Sequence, residues 1–298
     1  MICFCFATAS FADDSGVYRE LLFEKNFIEL SRVEAELQSN RELSDRDLTE
    51  LDRFYREVGG YRLSSEEAWQ SRKELIFEWI EAQPESDAAI LALGLHYYRY
   101  GWYLRGTSVR NKLDMTQVVP FADYMGRALK RALSVSSDAT KNPAWWQLIL
   151  GIAVAQGWPQ PIFNVTYERA VERFPWYLPY HLFKSQYVSQ RWYGSHESLA
   201  EFTESSAKRF PEYFGNRMYA RLQWHMRLND MFENGQTKWP LVRDSFQSIV
   251  AKYPERQNYM EFAILACLAR DGRTLKELMP LVAPPPTPTE WNTRLYQY

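Results

Sequence analysis

Four histidines, His96, His181, His196 and His225, are the side chains here whose ordinary chemistry runs near neutral pH. None lies in a His-Glu-x-x-His or paired Cys-x-x-Cys arrangement, the spacings that present metal ligands together. Ser195-His196-Glu197 holds the residue types of a hydrolytic triad, but three consecutive residues cannot arrange nucleophile, base and orienting acid around one another. The same three residues read as a helix start, with Ser195 capping an amide and Glu197 in the first turn, where the helix dipole favours an acid. Glu66, Glu67, Glu197 and Glu201 could supply a general acid and base for glycosidic cleavage, yet no spacing selects a pair, and they read as solvated helix surface. Gly94, Gly101 and Gly106 are too far apart for a phosphate loop or a dinucleotide fingerprint. The residues therefore assign no catalytic group, no metal ligand and no cofactor.

Binding chemistry is better represented. In the segment Tyr97-Tyr98-Arg99-Tyr100-Gly101-Trp102-Tyr103-Leu104-Arg105-Gly106, Tyr98, Trp102 and Arg105 share one helical face by i, i+4, i+7 spacing. Tyr97, Tyr100 and Leu104 share another. The expectation is that one face packs inside and the other stays available, because aromatic rings beside guanidinium groups bury large area and offer directed polar contacts. Tyr97, Tyr98, Arg99, Trp102 and Arg105, with Trp192 further on, are the candidate partner-binding residues. The same rings could stack on a sugar, and ordinary packing with Arg105 pinning a loop is the competing reading.

The elements that would position these residues are helices. A short phrase recurs, an apolar stripe running into an aromatic residue and a proline: Arg173-Phe174-Pro175, Arg209-Phe210-Pro211 and Tyr253-Pro254. Counting back from Pro175, Phe163, Tyr167, Ala170, Val171 and Phe174 form one helix face, and the same offsets before Pro254 give Val242, Phe246, Ile249, Val250 and Tyr253. Before Pro211 the stripe is weaker (Leu199, Thr203, Ser206, Ala207, Phe210), and before Pro84 only Ile76, Trp79 and Ile80 survive. Proline stops each helix because it lacks an N–H and drives the preceding residue from the α region. The interval between Pro175 and Pro211 is that of helix-pair repeats, and Leu150-Gly151 with Phe163, Tyr167, Ala170 and Pro175 fits part of the tetratricopeptide pattern. The chain is accordingly expected to be all-α, a tetratricopeptide-like α-solenoid of antiparallel helix pairs.

Helices are expected near 17–38, 44–58, 65–82, 87–103, 120–135, 143–156, 160–173, 176–189, 195–209, 212–232, 239–252, 256–270 and 272–280. Capping residues mark several starts: Ser44, Ser64, Ser86 and Asn142-Pro143. One helical-repeat domain is expected over 13–283, with regular repeats from about 143 to 270. Residues 1–12 are apolar and end in Ser10-Phe11-Ala12 before Asp13-Asp14, either a secretory signal peptide lacking its positive end or a plain apolar N-terminus. The first alternative implies export, to a periplasm in a bacterium, and the second a cytoplasmic protein. Residues 284–298 form a proline-rich connector, Pro284-Pro285-Pro286-Thr287-Pro288, and an aromatic tail with Trp291 and Tyr296 to Tyr298, expected to pack back onto the helices or onto another copy.

Composition agrees with stacked helices. Aromatics make up 16% of the chain, including 11 Trp and 19 Tyr, and large rings fill the gaps where helices cross. Net charge is −2 with a pI near 6.2, and Lys and Arg are dispersed, so no phosphate-tracking surface for nucleic acid is evident. Apart from the N-terminus, no run is long and apolar enough to span a membrane. Cys267 stands alone beyond Cys3 and Cys5, which gives no disulfide framework to a chain without its first residues.

Tyr18-Arg19-Glu20-Leu21-Leu22 with Phe27 and Leu30, then Leu51-Asp52-Arg53-Phe54-Tyr55, is similar to the opening of an uncharacterised bacterial family with a tetratricopeptide-like helical domain. Trp79, Pro84, Arg105-Gly106, Ala128, Ala132 and Trp192-Tyr193-Gly194-Ser195 also match, so the resemblance covers most of residues 17 to 215. The family usually has two glycines before that serine, and Tyr193 here replaces one. The resemblance implies a fold and a bacterial source, with no activity to carry over. A noncatalytic protein that holds a protein or peptide partner in a concave groove, such as an accessory or immunity protein of a secretion system, is the expected function. The alternative is an envelope carbohydrate-binding protein or hydrolase built on the aromatic and arginine cluster.

Overall fold

Local signals place the helices. The computed structural model describes residues 16–106, 113–227, 231–233, 236–284 and 286–287, so the apolar segment 1–12 and the aromatic tail beyond Pro288 lie outside the described residues. Fifteen α-helices and two 3₁₀ turns are present among the described residues, and the only bridge pairing is an isolated one between Leu43 and Thr49. The chain is all-helical. Its contacts divide it into two units, one running to Tyr180 and the other from His181.

The first unit contains α1 (Val17–Phe23), α2 (Phe27–Leu37), α3 (Glu50–Val58), α4 (Glu66–Ala82), α5 (Asp87–Arg105), α6 (Met115–Ser134), α7 (Pro143–Gln156) and α8 (Gln160–Arg173), and α9 (Leu178–Tyr187) begins in it. Helices α5 and α7 carry apolar residues around most of their circumference, and most of their residues are buried. Around α5 pack α2, α3, α4, α6 and α7, and α3 also reaches α7. The second unit holds α10 (His196–Arg209), α11 (Pro211–Phe214), α12 (Arg217–His225), α13 (Trp239–Lys252), α14 (Arg256–Leu268) and α15 (Gly272–Leu278). There α10 packs on α12, α12 on α13, α13 on α14 and α14 on α15, around Phe246, Ile249, Met260, Phe262 and Ile264.

The four proline stops share one backbone. Helices α4, α8, α10 and α13 end at Gln83, Phe174, Phe210 and Tyr253, with φ between −139° and −122° and ψ between 39° and 81°. That is outside the α region, where the following proline forces the residue to be. Each of these residues still donates its amide back one turn, to Trp79, Ala170, Ser206 or Ile249. The stripes before them are inside: Phe163, Tyr167, Ala170 and Val171 are buried, as are Val242, Phe246 and Ile249. Phe210 is buried, whereas Phe174 and Tyr253 are half-buried.

Several boundaries differ from the sequence expectation, each for a local reason. The helix expected over 17–38 is broken at Lys25, whose φ of 58° is left-handed. The one expected from 44 starts at 50: the Ser44 hydroxyl accepts the amides of Arg46 and Leu48, holding a turn in place of a helix, and Thr49 is the cap. Ser65 rather than Ser64 caps α4. Gly215, at φ 54°, divides the helix expected over 212–232. Helix α6 begins at Met115, before Pro120, because Asp114 and Gln117 form a capping box.

The closest helix approach is between α5 and α6. A Cβ added at Gly101 would stand 2.6 Å from Met125 Cε and 3.1 Å from Tyr124 Cβ, and one at Gly94 would be 2.7 Å from Leu148 Cδ2 and 3.4 Å from Arg131 Cβ. Gly94 thus meets the C-terminal half of α6 and Gly101 its N-terminal half, so the two helices run in opposite directions. Ala128 and Ala132 answer the glycines with small side chains of their own. Gly101→Leu is expected to destabilise the protein by about 1–3 kcal/mol through overpacking, measured as the shift in a denaturant midpoint; an unshifted midpoint would show that this approach is loose.

Candidate functional site

Helix α5 carries the predicted aromatic and arginine segment to its end at Gly106. Tyr97, Tyr98, Trp102 and Arg105 are 7%, 4%, 8% and 8% exposed, so both faces of this stretch are packed and neither is left open. The reason is the proximity of α6. Trp102 lies edge-on to Phe121 at 4.8 Å, Tyr97 meets Tyr124 at 5.7 Å, and the Arg105 guanidinium lies 5.2 Å from the Trp102 ring. On the α4 side, Tyr100 packs against Trp69 and donates its hydroxyl to Glu66, lowering the Glu66 carboxyl below its ordinary range. Burial pushes the Tyr98 and Tyr100 phenols up, so both stay protonated. Arg105 holds the carbonyl of Gly106, and Gln117 of α6 donates to the Arg105 carbonyl at 2.9 Å, which ties the end of α5 to the start of α6. Tyr103, 38% exposed, is the large ring of this segment that faces solvent.

Arg99, half-buried, points into a different environment. Its Nη1 donates to the Tyr55 carbonyl at 2.6 Å, and burial with the nearby Arg56 charge pulls its guanidinium down to about 10. This is the edge of the densest polar cluster in the first unit. Glu34 of α2 is 3% exposed and accepts from Tyr55 Oη at 2.7 Å, Asn142 Nδ2 at 2.6 Å and Gln38 Nε2 at 2.9 Å. Asp52 of α3, fully buried, pairs with Arg56 and accepts from Gln147 Nε2 of α7 at 2.9 Å. The Gln147 carbonyl in turn receives the Tyr177 hydroxyl at 2.8 Å, and Tyr180 donates to the Pro143 carbonyl at 2.7 Å. Asn142 thus both caps α7 through Ala144 N and reaches Glu34.

What this cluster can do chemically is limited by its own bonding. Both Glu34 oxygens and both Asp52 oxygens have protein partners. No lone pair is aimed at a nucleophile. Sequence reasoning found Asn142 as a cap and Asp52 and Tyr55 inside the family landmark, but it missed Glu34 and Gln147, which sit among ordinary helix-forming residues; the i, i+4 spacing of Asp52 and Arg56 was the available signal.

Trp192 belongs to the second unit. It is half-buried, 5.8 Å from the Tyr193 ring, in a turn in which Tyr193 N, Gly194 N and Ser195 N donate to the carbonyls of Tyr187, Ser189 and Val188. A Cβ at Gly194 would fall 2.0 Å from the Val188 carbonyl oxygen, so glycine is required there, and a tight turn forms with Tyr193 before it. Ser195 caps α10 by accepting from Ser198 N at 3.1 Å. Among the described residues no group of three or more His, Cys, Asp or Glu is placed to hold a metal ion, and no helix is long and apolar enough to cross a membrane. No protein-family model, curated protein or solved structure matches the chain.

Two buried groups give pH signatures of opposite sign. Burial raises the Glu34 carboxyl above its ordinary 4.5 despite its three donors, so the native state binds a proton that the unfolded chain has released. Stability from this group is present below 4.5 and falls as pH rises through the raised native value. Glu34→Gln should flatten that part of a stability-versus-pH curve, while Glu34→Ala, which strands Tyr55 and Asn142, should cost about 2–4 kcal/mol at any pH. His96, 1% exposed beside Trp69, is pushed down from 6.5 to about 3 by burial and by the charges of Arg72 and Arg99. Its contribution is present above 6.5 and is lost as pH falls toward 3. The His96 ring should show no NMR titration from about pH 5 to about pH 8; a midpoint inside that range would place the ring in water.

Proposed function

We propose that this chain is a noncatalytic helical-repeat protein of the bacterial envelope that holds a protein or peptide partner, of the kind that serves as an accessory or immunity protein of a secretion system. The observation that carries the reading is the recurrence of one helix ending, the same non-helical backbone at the proline in α4, α8, α10 and α13, with the full stripe buried before it in α8 and α13 and a partial one in α4 and α10. Such recurrence is what a tetratricopeptide-like solenoid of antiparallel pairs would require, since each repeat must stop and turn at the same point to stack on the next. Stacks of that kind curve and offer a concave groove for an extended or helical ligand. The likeness of Tyr18 to Leu22 and Leu51 to Tyr55 to a bacterial family supports the source, and the apolar segment 1–12 supports export to the periplasm.

Tyr97, Tyr98, Trp102 and Arg105 are read here as the interface between helices and not as the surface that meets the partner. The carbohydrate-binding or hydrolytic alternative needs those rings in solvent, and it draws no support from their packing against α6. Trp192, half-buried, keeps part of its ring in reach of a partner, whereas the Arg99 guanidinium is turned inward to the Tyr55 carbonyl.

The reading is tested by affinity capture on the purified chain from envelope extract of the producing bacterium, followed by reconstitution with the recovered protein made separately. A complex of fixed stoichiometry by light scattering is the expected result. Saturable glycan binding or turnover by the purified chain alone would replace this reading with the enzymatic or carbohydrate-binding one.

A further inference from the structure

Helix α6 has a second apolar seam that the described residues leave largely uncovered. Its inner seam, Phe121, Met125, Ala128 and Ala132, packs toward α5. One residue further along at each step lies the outer seam: Met115, Val119, Ala122, Gly126, Leu129 and Leu133. Met115, Val119 and Leu133 are 69%, 55% and 67% exposed, Ala122 and Gly126 are exposed, and Leu129 is half-buried. A Cβ at Gly126 would meet nothing within 4 Å. The spacing alternates four and three, the 3.5-residue period by which one helix lays a continuous seam against another. A surface helix with a single core-facing stripe has no need of it.

The seam is also a palindrome. Read from either end its spacings are the same, and its side chains match in size about the level of residue 124: Met115 with Leu133, Val119 with Leu129, Ala122 with Gly126. Two copies of α6 laid antiparallel across a two-fold axis at that level would therefore pair large with large at the ends and small with small at the centre, where two helices crossing must come closest. Charge agrees with the same register. Asp123 and Arg127 form an exposed ion pair at 2.8 Å beside the seam. In the antiparallel arrangement residue 123 stands level with 125 of the other copy, so each Asp123 lies about 3 Å along the axis from the opposite Arg127 and equally from the opposite Asp123, while the two Arg127 stand about 9 Å apart; the two Asp–Arg attractions outnumber the one close repulsion. The four charges then alternate in sign around the axis, and the helix dipoles oppose.

We infer that the outer face of α6 is a self-association surface whose occupant is a second copy of this chain, held antiparallel about residue 124. The interface is one helix pair about 30 Å long, which places its dissociation constant in the micromolar range and not tighter.

Sedimentation equilibrium of the full chain, from low to high micromolar concentration, should show a reversible monomer–dimer exchange. Val119→Asp places two acids opposite Leu129 at once and should weaken the dimer by about a hundredfold or more without changing the circular dichroism spectrum, while Ile162→Glu on the exposed face of α8 should leave it intact. Asp123→Arg should weaken the dimer. With Cys3, Cys5 and Cys267 replaced by serine, the pair Ala122→Cys and Gly126→Cys should oxidise to a covalent dimer linked 122 to 126. A chain that stays monomeric throughout the range overturns the inference, as does a dimer that survives Val119→Asp or crosslinks 122 to 122.

Discussion

Two carboxylates out of contact with water, Glu34 and Asp52, set the terms for the first unit. A buried acid is costly unless every oxygen finds a donor. One donor to each comes from a turn further along its own helix, Gln38 for Glu34 and Arg56 for Asp52, and the rest come from elsewhere: Tyr55 of α3, Asn142 at the start of α7 and Gln147 within it, with Tyr177 fastening Gln147 from the far side. Helices α2, α3 and α7 must all be in place before both acids are satisfied. Such a network contributes less to raw stability than to uniqueness, because alternative packings that would tolerate the same apolar residues leave these groups stranded.

Around that centre the helices meet by two different devices. Where α5 and α6 touch, Gly94 and Gly101 face Ala128 and Met125, and small residues let the backbones draw close. Elsewhere the gap is wide and rings occupy it: Trp69, Tyr100, Tyr103 and Tyr124 form one continuous set of tilted and edge-on contacts between α4, α5 and α6. The high aromatic content of the chain is explained by this role. It also takes Tyr97, Tyr98, Tyr100 and Trp102 from the surface and leaves Tyr103 in part exposed.

The second unit is built on the same helix ending with fewer buried charges. Arg221 lies at 5% exposure against Asn258 and Glu261, and Ser245 of α13 accepts the Ala220 amide while donating to the Asn216 carbonyl. These bonds join α12 to α13 and α14, neighbours in sequence as well as in space. In the first unit α3 reaches both α5 and α7, so its contacts are less local than those of the second.

Helix boundaries were legible wherever the signal was local. The spans 143–156, 160–173 and 239–252 are those the residues indicate, and Ser86, Asn142 and Ser195 cap where their types say they should. Capping, proline stops and amphipathic spacing act within about four residues, so a sequence window contains the whole cause. The positive-φ break at Lys25 was not legible, because lysine gives no warning of a left-handed turn. Nor was the fate of the Tyr97 to Arg105 stretch. Two faces of a helix can be read from spacing, but whether both are covered depends on which other helices arrive. Glu34 waits for Asn142, 108 residues away. The sequence by itself determined an all-helical chain, its stops and its caps; only the tertiary structure decided which side chains would spend their chemistry on one another, because that choice is made by partners that no local window contains.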